Sequence, residues 1–250
     1  MTDQSLPLDR YAERDFNAGH VFNQTVSILS RNPLPFGLVA AIAALPSALL
    51  LTPGVDLVSS DIAGGVVAMI GVILMLVLAA LSQAVMVYGA FDDMRGRPVN
   101  LGESTKVGLR RFFAVLGVAI LVPVLSGLAG AALIFPGFMV ATMLFVSMPA
   151  CVVERLGPIK AMGRSARLTK GHRWKIFGIW VAILLVGTIA QSMLQNAAAG
   201  IGKPVISVLV TLLWSAVYGA FSAVLAVVTY HDLRVAKEGV DTDQIASVFD

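Results

Sequence analysis

Lysine and arginine lie almost entirely on one side of the apolar stretches of this chain. The six stretches cover residues 35–51, 62–91, 113–134, 137–153, 174–197 and 206–230. If the chain reverses direction at each connection, 17 of its 18 basic residues fall on the side of the N terminus, and Lys203 alone falls on the other. Apolar runs of this length, in which Lys175 is the one charged residue, predict membrane-spanning helices. The positive-inside rule then predicts that the basic side and both termini are cytoplasmic.

The composition favours a membrane protein over a soluble one. Hydrophobic residues make up 57% of the chain and charged residues 13%, whereas soluble domains carry about a quarter charged residues. We therefore expect an all-α integral protein of the cytoplasmic membrane. The predicted parts are a cytoplasmic N-terminal tail at 1–15, a six-span domain at 16–237 and a cytoplasmic acidic tail at 238–250.

The six spans are predicted to form three hairpins, each preceded by an amphipathic helix on the cytoplasmic surface. The repeated units begin near residues 16, 100 and 157. Asn100, with Glu103 three residues later, resembles a capping box, and Pro158 stands where a first helical residue would. Helical spacing predicts that Phe22 and Val26 share the apolar face of the first such helix. Ile159, Met162 and Ala166 are predicted to share the apolar face of the third.

The connection between the third and fourth spans is predicted to be very short. Only Phe135-Pro136-Gly137 separates the two apolar runs, and Pro-Gly is a turn signal. The sequence therefore predicts a tight hairpin whose turn lies opposite the basic side.

The second half of the chain resembles a prokaryotic family known as the membrane domain of glycerophosphoryl diester phosphodiesterase. The matching pieces are Pro136-Gly137, Ser147 to Gly157, Arg164 to Trp174 and Tyr230 to Gly239. In full-length members of that family a soluble catalytic domain follows the membrane part. Its His-Arg-Gly element has no counterpart here, because His172-Arg173 is followed by Trp174. The resemblance thus implies a stand-alone membrane domain that is not an enzyme.

Six basic residues crowd into sixteen positions before and within the start of the fifth span. They are Lys160, Arg164, Arg167, Lys170, Arg173 and Lys175. Because each cation near an anionic leaflet contributes about 1 kcal/mol of attraction, this collar is a candidate site for lipid headgroups. The alternative is that these charges only set the orientation of the chain. Their position beside apolar spans favours lipid over nucleic acid as a partner.

Polar residues within the spans suggest a second candidate site. Gln191 and Gln195 are four residues apart and share a helical face, and Asn196 follows directly. They could line a polar cavity, as in a small permease or channel for a phosphate-containing or amphiphilic solute, or simply join helices by hydrogen bonds. A separate row of small residues in the sixth span predicts close helix packing. That row comprises Ser215, Gly219 and Ala223.

A membrane-embedded lipid enzyme is the third possibility. Its only plausible acid–base residues are His231, Asp232, Glu154 and the Asp92–Asp93 pair. No His or Cys spacing predicts a metal site, Cys151 is the only cysteine, and no cofactor motif occurs. The sequence therefore favours a non-catalytic multi-pass membrane protein that binds lipid or a protein partner, or forms homo-oligomers.

Overall fold

The computed structural model describes residues 16–51 and 62–238, and every regular element within them is an α-helix. The helices are α1 (Ala18–Arg31), α2 (Pro33–Leu51), α3 (Ile62–Met94), α4 (Leu101–Arg110), α5 (Phe112–Ala132), α6 (Ile134–Met143), α7 (Ser147–Val153), α8 (Pro158–Leu168), α9 (Arg173–Gly200) and α10 (Pro204–Glu238). The predicted tails at 1–15 and 239–250 and the connection at 52–61 lie outside the described residues. Glu238, predicted to begin the acidic tail, is instead the last residue of α10.

Six helical stretches are long and apolar enough to cross a membrane. They are Pro33–Leu50, Gly64–Met94, Phe112–Ala132, Phe135–Val153, Arg173–Gly200 and Pro204–Glu238. The prediction of an all-helical, multi-pass membrane protein is therefore confirmed. An α-helix satisfies its own backbone hydrogen bonds, which is why apolar runs of this kind fold as helices in lipid.

The fourth apolar stretch, predicted at 137–153, differs from the structure at the start and at the end of α6. The chain reverses at Leu133, whose backbone is extended (φ −157°, ψ 136°), so Phe135, Pro136 and Gly137 lie inside α6. Pro136 fits there because N–H groups in the first turn of a helix have no acceptor within the helix, so the N–H that proline lacks is not needed. A second difference is the turn at residues 144–146, which divides the predicted span into α6 and α7.

Helices α4 and α8 each pack against the helix that precedes them in the chain, and α1, which is the first helix described, packs against the last. The contacts join α4 to α3, α8 to α7 and α1 to α10. The long helices form a closed cycle, because α2 contacts α3 and α10, α5 contacts α3 and α6, and α9 contacts α6 and α10. The first short helix therefore closes the ring by packing on the last long one.

Helices α1 and α8 bury a different face from the one predicted. Helix α1 buries Val21, Thr25 and Ile28, and α8 buries Ala161, Ser165 and Leu168. Ile159 and Phe22 remain 75% and 52% exposed, and Met162 and Ala166 are only partly buried. The buried faces of α1 and α8 thus combine aliphatic, small and hydroxylated side chains, whereas the predicted faces stay partly or largely exposed.

The well-packed core lies at one end of the molecule. It is formed by residues 80–92 of α3, helix α7 and residues 216–233 of α10, which contact one another. In contrast, residues 66–76 of α3 carry many exposed apolar side chains around most of the helix circumference.

Helix α5 and helix α6 approach each other closely at Gly130 and Gly137.

Replacing Gly137 with alanine is expected to destabilise the fold. The added Cβ would lie 2.5 Å from Cα of Gly130 and 2.8 Å from its nitrogen, and these backbone atoms cannot move aside easily. Overpacking of this kind costs about 1–3 kcal/mol. Gly127→Ala is the matched control, since its Cβ would meet nothing within 4 Å. Thermal unfolding in detergent micelles measures both variants, and equal stability would contradict the packing described here.

Candidate functional site

Arg164 lies at the centre of an ion-pair network that joins three helices. Its Nε donates hydrogen bonds to both carboxylate oxygens of Glu154, at 2.8 and 2.9 Å, and one Nη donates to Glu238 at 2.9 Å. These residues belong to α8, the end of α7 and the end of α10. The hydrogen bond with Glu238 raises the pKa of Arg164 above its usual value, and Glu154 adds to this effect although burial opposes it. Arg164 therefore stays charged and holds α8 in place.

Tyr230 and Arg234 complete the network from α10. The Tyr230 hydroxyl donates to Glu154 at 2.7 Å, and Arg234 donates to the Tyr230 oxygen at 3.3 Å and to Glu238 at 3.2 Å. Tyr230 is fully buried, so its hydroxyl needs these partners. Two carboxylates and two guanidinium groups balance each other within the network. Arg164, predicted to belong to the lipid-binding collar, is therefore occupied by carboxylates.

A second group of cations near this network has no such balance. We call Arg167, Lys170, Arg173 and Lys237 the basic corner. The Lys237 ammonium donates to the carbonyl oxygen of Arg167 at 2.7 Å, and Lys170 and Arg173 are the charges that repel it. Among the residues that the structure describes, no ion pair joins any of the four to a carboxylate. Four positive charges thus meet where α8 turns into α9.

Two details of the basic corner suit the binding of an anion. The Nε atom of Arg173 is buried and has no hydrogen-bond partner within the described part of the chain. At the end of α8, two carbonyl oxygens are already used: Lys237 and the nitrogen of Lys170 donate to that of Arg167, and the nitrogen of Thr169 donates to that of Ser165. An anion here would therefore meet donors and positive charge.

The remaining two collar residues stand apart from the basic corner. Lys160 is exposed near the start of α8, and Lys175 donates a hydrogen bond to the carbonyl oxygen of Phe16 at 3.2 Å. Lys175 thus helps to fix the chain just before α1. The collar predicted as one site therefore separates into the Arg164 network, the basic corner and these two flanking lysines.

Aromatic side chains surround the first turns of α9, next to the basic corner. The Trp174 ring lies 6.1 Å from the Phe135 ring and 5.9 Å from the Phe177 ring. The Phe138 ring is 5.9 Å from Phe177 and 5.5 Å from Trp180. Trp174 is 70% exposed, and an exposed tryptophan beside cations is typical of the membrane–water interface.

The predicted polar cavity corresponds in part to a pocket where α9 meets α10. The pocket has a volume of about 360 Å³, and its lining includes Gln195, Asn196 and Lys203. Gln191 does not line it, and the Gln195 amide donates to the Thr211 hydroxyl. The pocket lies at the end of α9 that is far from the basic corner. The topology predicted from the sequence places these two ends of α9 on opposite sides of the membrane.

The small residues of the sixth span do not form one contact row. Ala223 is fully buried, but a Cβ at Gly219 would meet nothing within 4 Å, and Ser215 is only partly buried. No part of the described chain therefore packs closely at Gly219, and packing of this row between subunits stays a prediction. The close approach between α9 and α10 occurs instead at Gly187, where an added Cβ would lie 2.3 Å from the Tyr218 ring.

The residues considered for acid–base chemistry are held in separate places. Asp232 pairs with His20 at 3.0 Å and lies 3.5 Å from His231, whereas Glu154 belongs to the Arg164 network. Asp93 accepts hydrogen bonds from Arg31 and Asn32, both at 2.7 Å. Within residues 16–51 and 62–238, no cluster of three His, Cys, Asp or Glu side chains is suited to a metal ion. The Asp232, Glu154 and Asp93 contacts each join different helices.

Comparison with known proteins assigns no activity to this multi-pass membrane protein. A family model described as "Domain of unknown function (DUF7847)" matches residues 122–233. The matched region includes Glu154, Arg164, Tyr230 and most of the basic corner, but not Lys237. No curated protein and no solved structure matches the chain. The resemblance to the phosphodiesterase membrane domain thus stays a prediction.

Replacing Arg164 with glutamine is expected to destabilise the protein. The change leaves Glu154 and Glu238 without their main partner, and the loss of one member of a largely buried ion pair costs several kcal/mol. Because the side chains retain some exposure, we expect about 2–3 kcal/mol. Arg167→Gln, on the same helix but exposed, should change stability by less than about 0.5 kcal/mol. Thermal unfolding in micelles distinguishes the two, and equal losses would contradict a structural role of Arg164.

Proposed function

We propose that this chain is a non-catalytic protein of the cytoplasmic membrane that binds anionic lipid at its basic corner. In this proposal the long helices form three hairpins in the membrane, and α1, α4 and α8 lie at the cytoplasmic surface. Both termini are cytoplasmic, in agreement with the distribution of lysine and arginine. The exposed apolar side chains of α1 and α8, such as Phe22 and Ile159, then face lipid.

The observation that carries the proposal is the unbalanced charge of the basic corner. Among the described residues, the acidic side chains close to it are Glu154 and Glu238, and both are already paired with Arg164 and Arg234. Bringing like charges together costs free energy unless a counterion is present. At the membrane surface the natural counterion is the phosphate of an anionic glycerophospholipid, and the unpartnered Nε of Arg173 could donate to it.

The surroundings of the basic corner favour a lipid over a free anion. Trp174, the neighbour of Arg173, exposes most of its ring and belongs to the aromatic group that includes Phe135 and Phe177. A lipid would place its headgroup on the cations and its upper acyl chain against these rings. A soluble phosphate would use only the cations.

Removing three of the four charges of the basic corner should weaken lipid binding strongly. The test variant is Lys170→Gln, Arg173→Gln and Lys237→Gln combined. With about 1 kcal/mol for each cation near an anionic surface, the loss should be about 100-fold in affinity for phosphatidylglycerol. Native mass spectrometry of the detergent-solubilised protein, titrated with this lipid, measures the change.

The matched control removes three exposed charges from α4 and the loop before it, which the proposed topology places on the same side. Arg97→Gln, Lys106→Gln and Arg110→Gln give the same change of net charge. Equal weakening by both triple variants would mean diffuse attraction and would overturn the site. Tight binding of inorganic phosphate in place of lipid would also overturn it, as would a stoichiometric protein partner without retained lipid.

A small permease is the second candidate function, and the pocket near Lys203 favours it. The pocket holds a cation, the Asn196 amide and the Ser207 hydroxyl, a combination that suits a phosphate-containing solute. However, the tightly packed core of α3, α7 and α10 lies toward the other end of the molecule. Uptake of a labelled phosphodiester by proteoliposomes, lost in Lys203→Gln, would support transport over lipid binding.

A further inference from the structure

We infer that the α5–α6 hairpin is re-entrant: it enters the cytoplasmic half of the bilayer and turns back without reaching the other side. Length and composition allow α5 and α6–α7 to cross, so the inference rests on where their neighbours lie. It does not depend on lipid binding by the basic corner.

Helix α8 fixes the level of the hairpin relative to the membrane surface. Lys160, Arg164, Arg167 and the following Lys170 keep α8 out of the hydrocarbon, because burying several such charges in lipid is prohibitively costly. Helix α8 does not cross over the cytoplasmic end of the hairpin but lies alongside it. Pro158 lies against Gly117 of α5, and the hydroxyls of Ser165 and Thr169 donate to the Met143 carbonyl at 2.7 and 3.4 Å.

The length of hairpin beyond this level is too short to cross. Only nine residues, Ile134 to Thr142, separate Met143 from the turn at Leu133. At 1.5 Å per residue they extend about 14 Å, which is less than half of a hydrocarbon core of about 30 Å. The hairpin can therefore reach only toward the middle of the bilayer.

The same length measured on the first hairpin, α2–α3, gives a different result. Its neighbour α4 reaches α3 near Ala84 and Val85, which lie against Gly108. Beyond that level α3 still has 22 residues, Ile62 to Gln83. They extend about 33 Å, which is enough to cross the hydrocarbon core.

The aromatic contacts agree with a short second hairpin. Phe135, two residues beyond the turn, touches Trp174, the second residue of α9, and Phe138 touches Phe177 and Trp180. Helix α9 then continues to Gly200, with 28 residues in all, or about 42 Å. The end of the second hairpin thus lies beside the base of the third, next to the basic corner. Four helices, α2, α3, α9 and α10, cross the membrane.

Spin labels at single cysteines test the depth of the hairpin directly. Cys151 is the only cysteine and is buried, so Cys151→Ala gives the background. Leu133→Cys marks the turn, Ile201→Cys marks the α9–α10 connection, and Ile159→Cys marks α8; all three positions are exposed. In liposomes, collision rates with oxygen and with a water-soluble nickel complex report the depth of each label.

We expect the label at position 133 to lie in the half of the bilayer that faces position 159, and the label at 201 at the opposite surface. A membrane-impermeant maleimide applied to right-side-out vesicles should modify Ile201→Cys and leave Leu133→Cys unmodified. Nickel access and maleimide labelling at 133 equal to those at 201 would overturn the inference. If Leu133→Cys does not fold, Phe135→Cys, also exposed, gives the same measurement.

Discussion

Helices that cross a bilayer cannot rely on the hydrophobic effect to hold them together, because lipid is as apolar as their side chains. Association must come from close packing and from polar contacts where water begins. In this protein those two forces act in the same place. The buried faces of the short helices α1, α4 and α8 pack on α10, α3 and α7, and ion pairs such as Arg164–Glu154 hold them there. The rest of the structure depends on this layer of short helices, because most of the large buried side chains lie in it or next to it, whereas residues 66–76 of α3 leave many apolar side chains exposed.

The same layer explains why charges that look alike in the sequence have different roles. Arg164 and Arg167 are three residues apart on one helix, yet the first is held by two carboxylates and the second is exposed. Within the described part of the chain, the arginines of the network pair with Glu154 and Glu238, and the remaining cations form no ion pair with a carboxylate. A site for anions can thus arise as the remainder of a structural network, without any residue being dedicated to it by a motif.

The sequence predicts the helical class and the positions of the long apolar helices to within a few residues, because apolar length and charge are local properties. It fails where the outcome depends on partners far along the chain. The pairing of Arg164 with Glu238 and the approach of Lys237 to Arg167 join residues more than 60 positions apart, so the collar could not be divided correctly beforehand. The turn at Leu133 was misplaced because Pro136 suits the first turn of a helix as well as a loop. Only the contacts of Met143 and Phe135 give the depth of the second hairpin.

The closure of the ring has a consequence for how the protein is made. Helix α1 leaves the ribosome first, whereas its packing partner α10 leaves last. Until then the buried face of α1, with Val21, Thr25 and Ile28, has no native partner. The first hairpin must therefore wait in the membrane, only partly assembled, until the last helix has been inserted. Assembly is completed when α10 meets α1, so loss of α10 would leave the buried face of α1 without its partner as well.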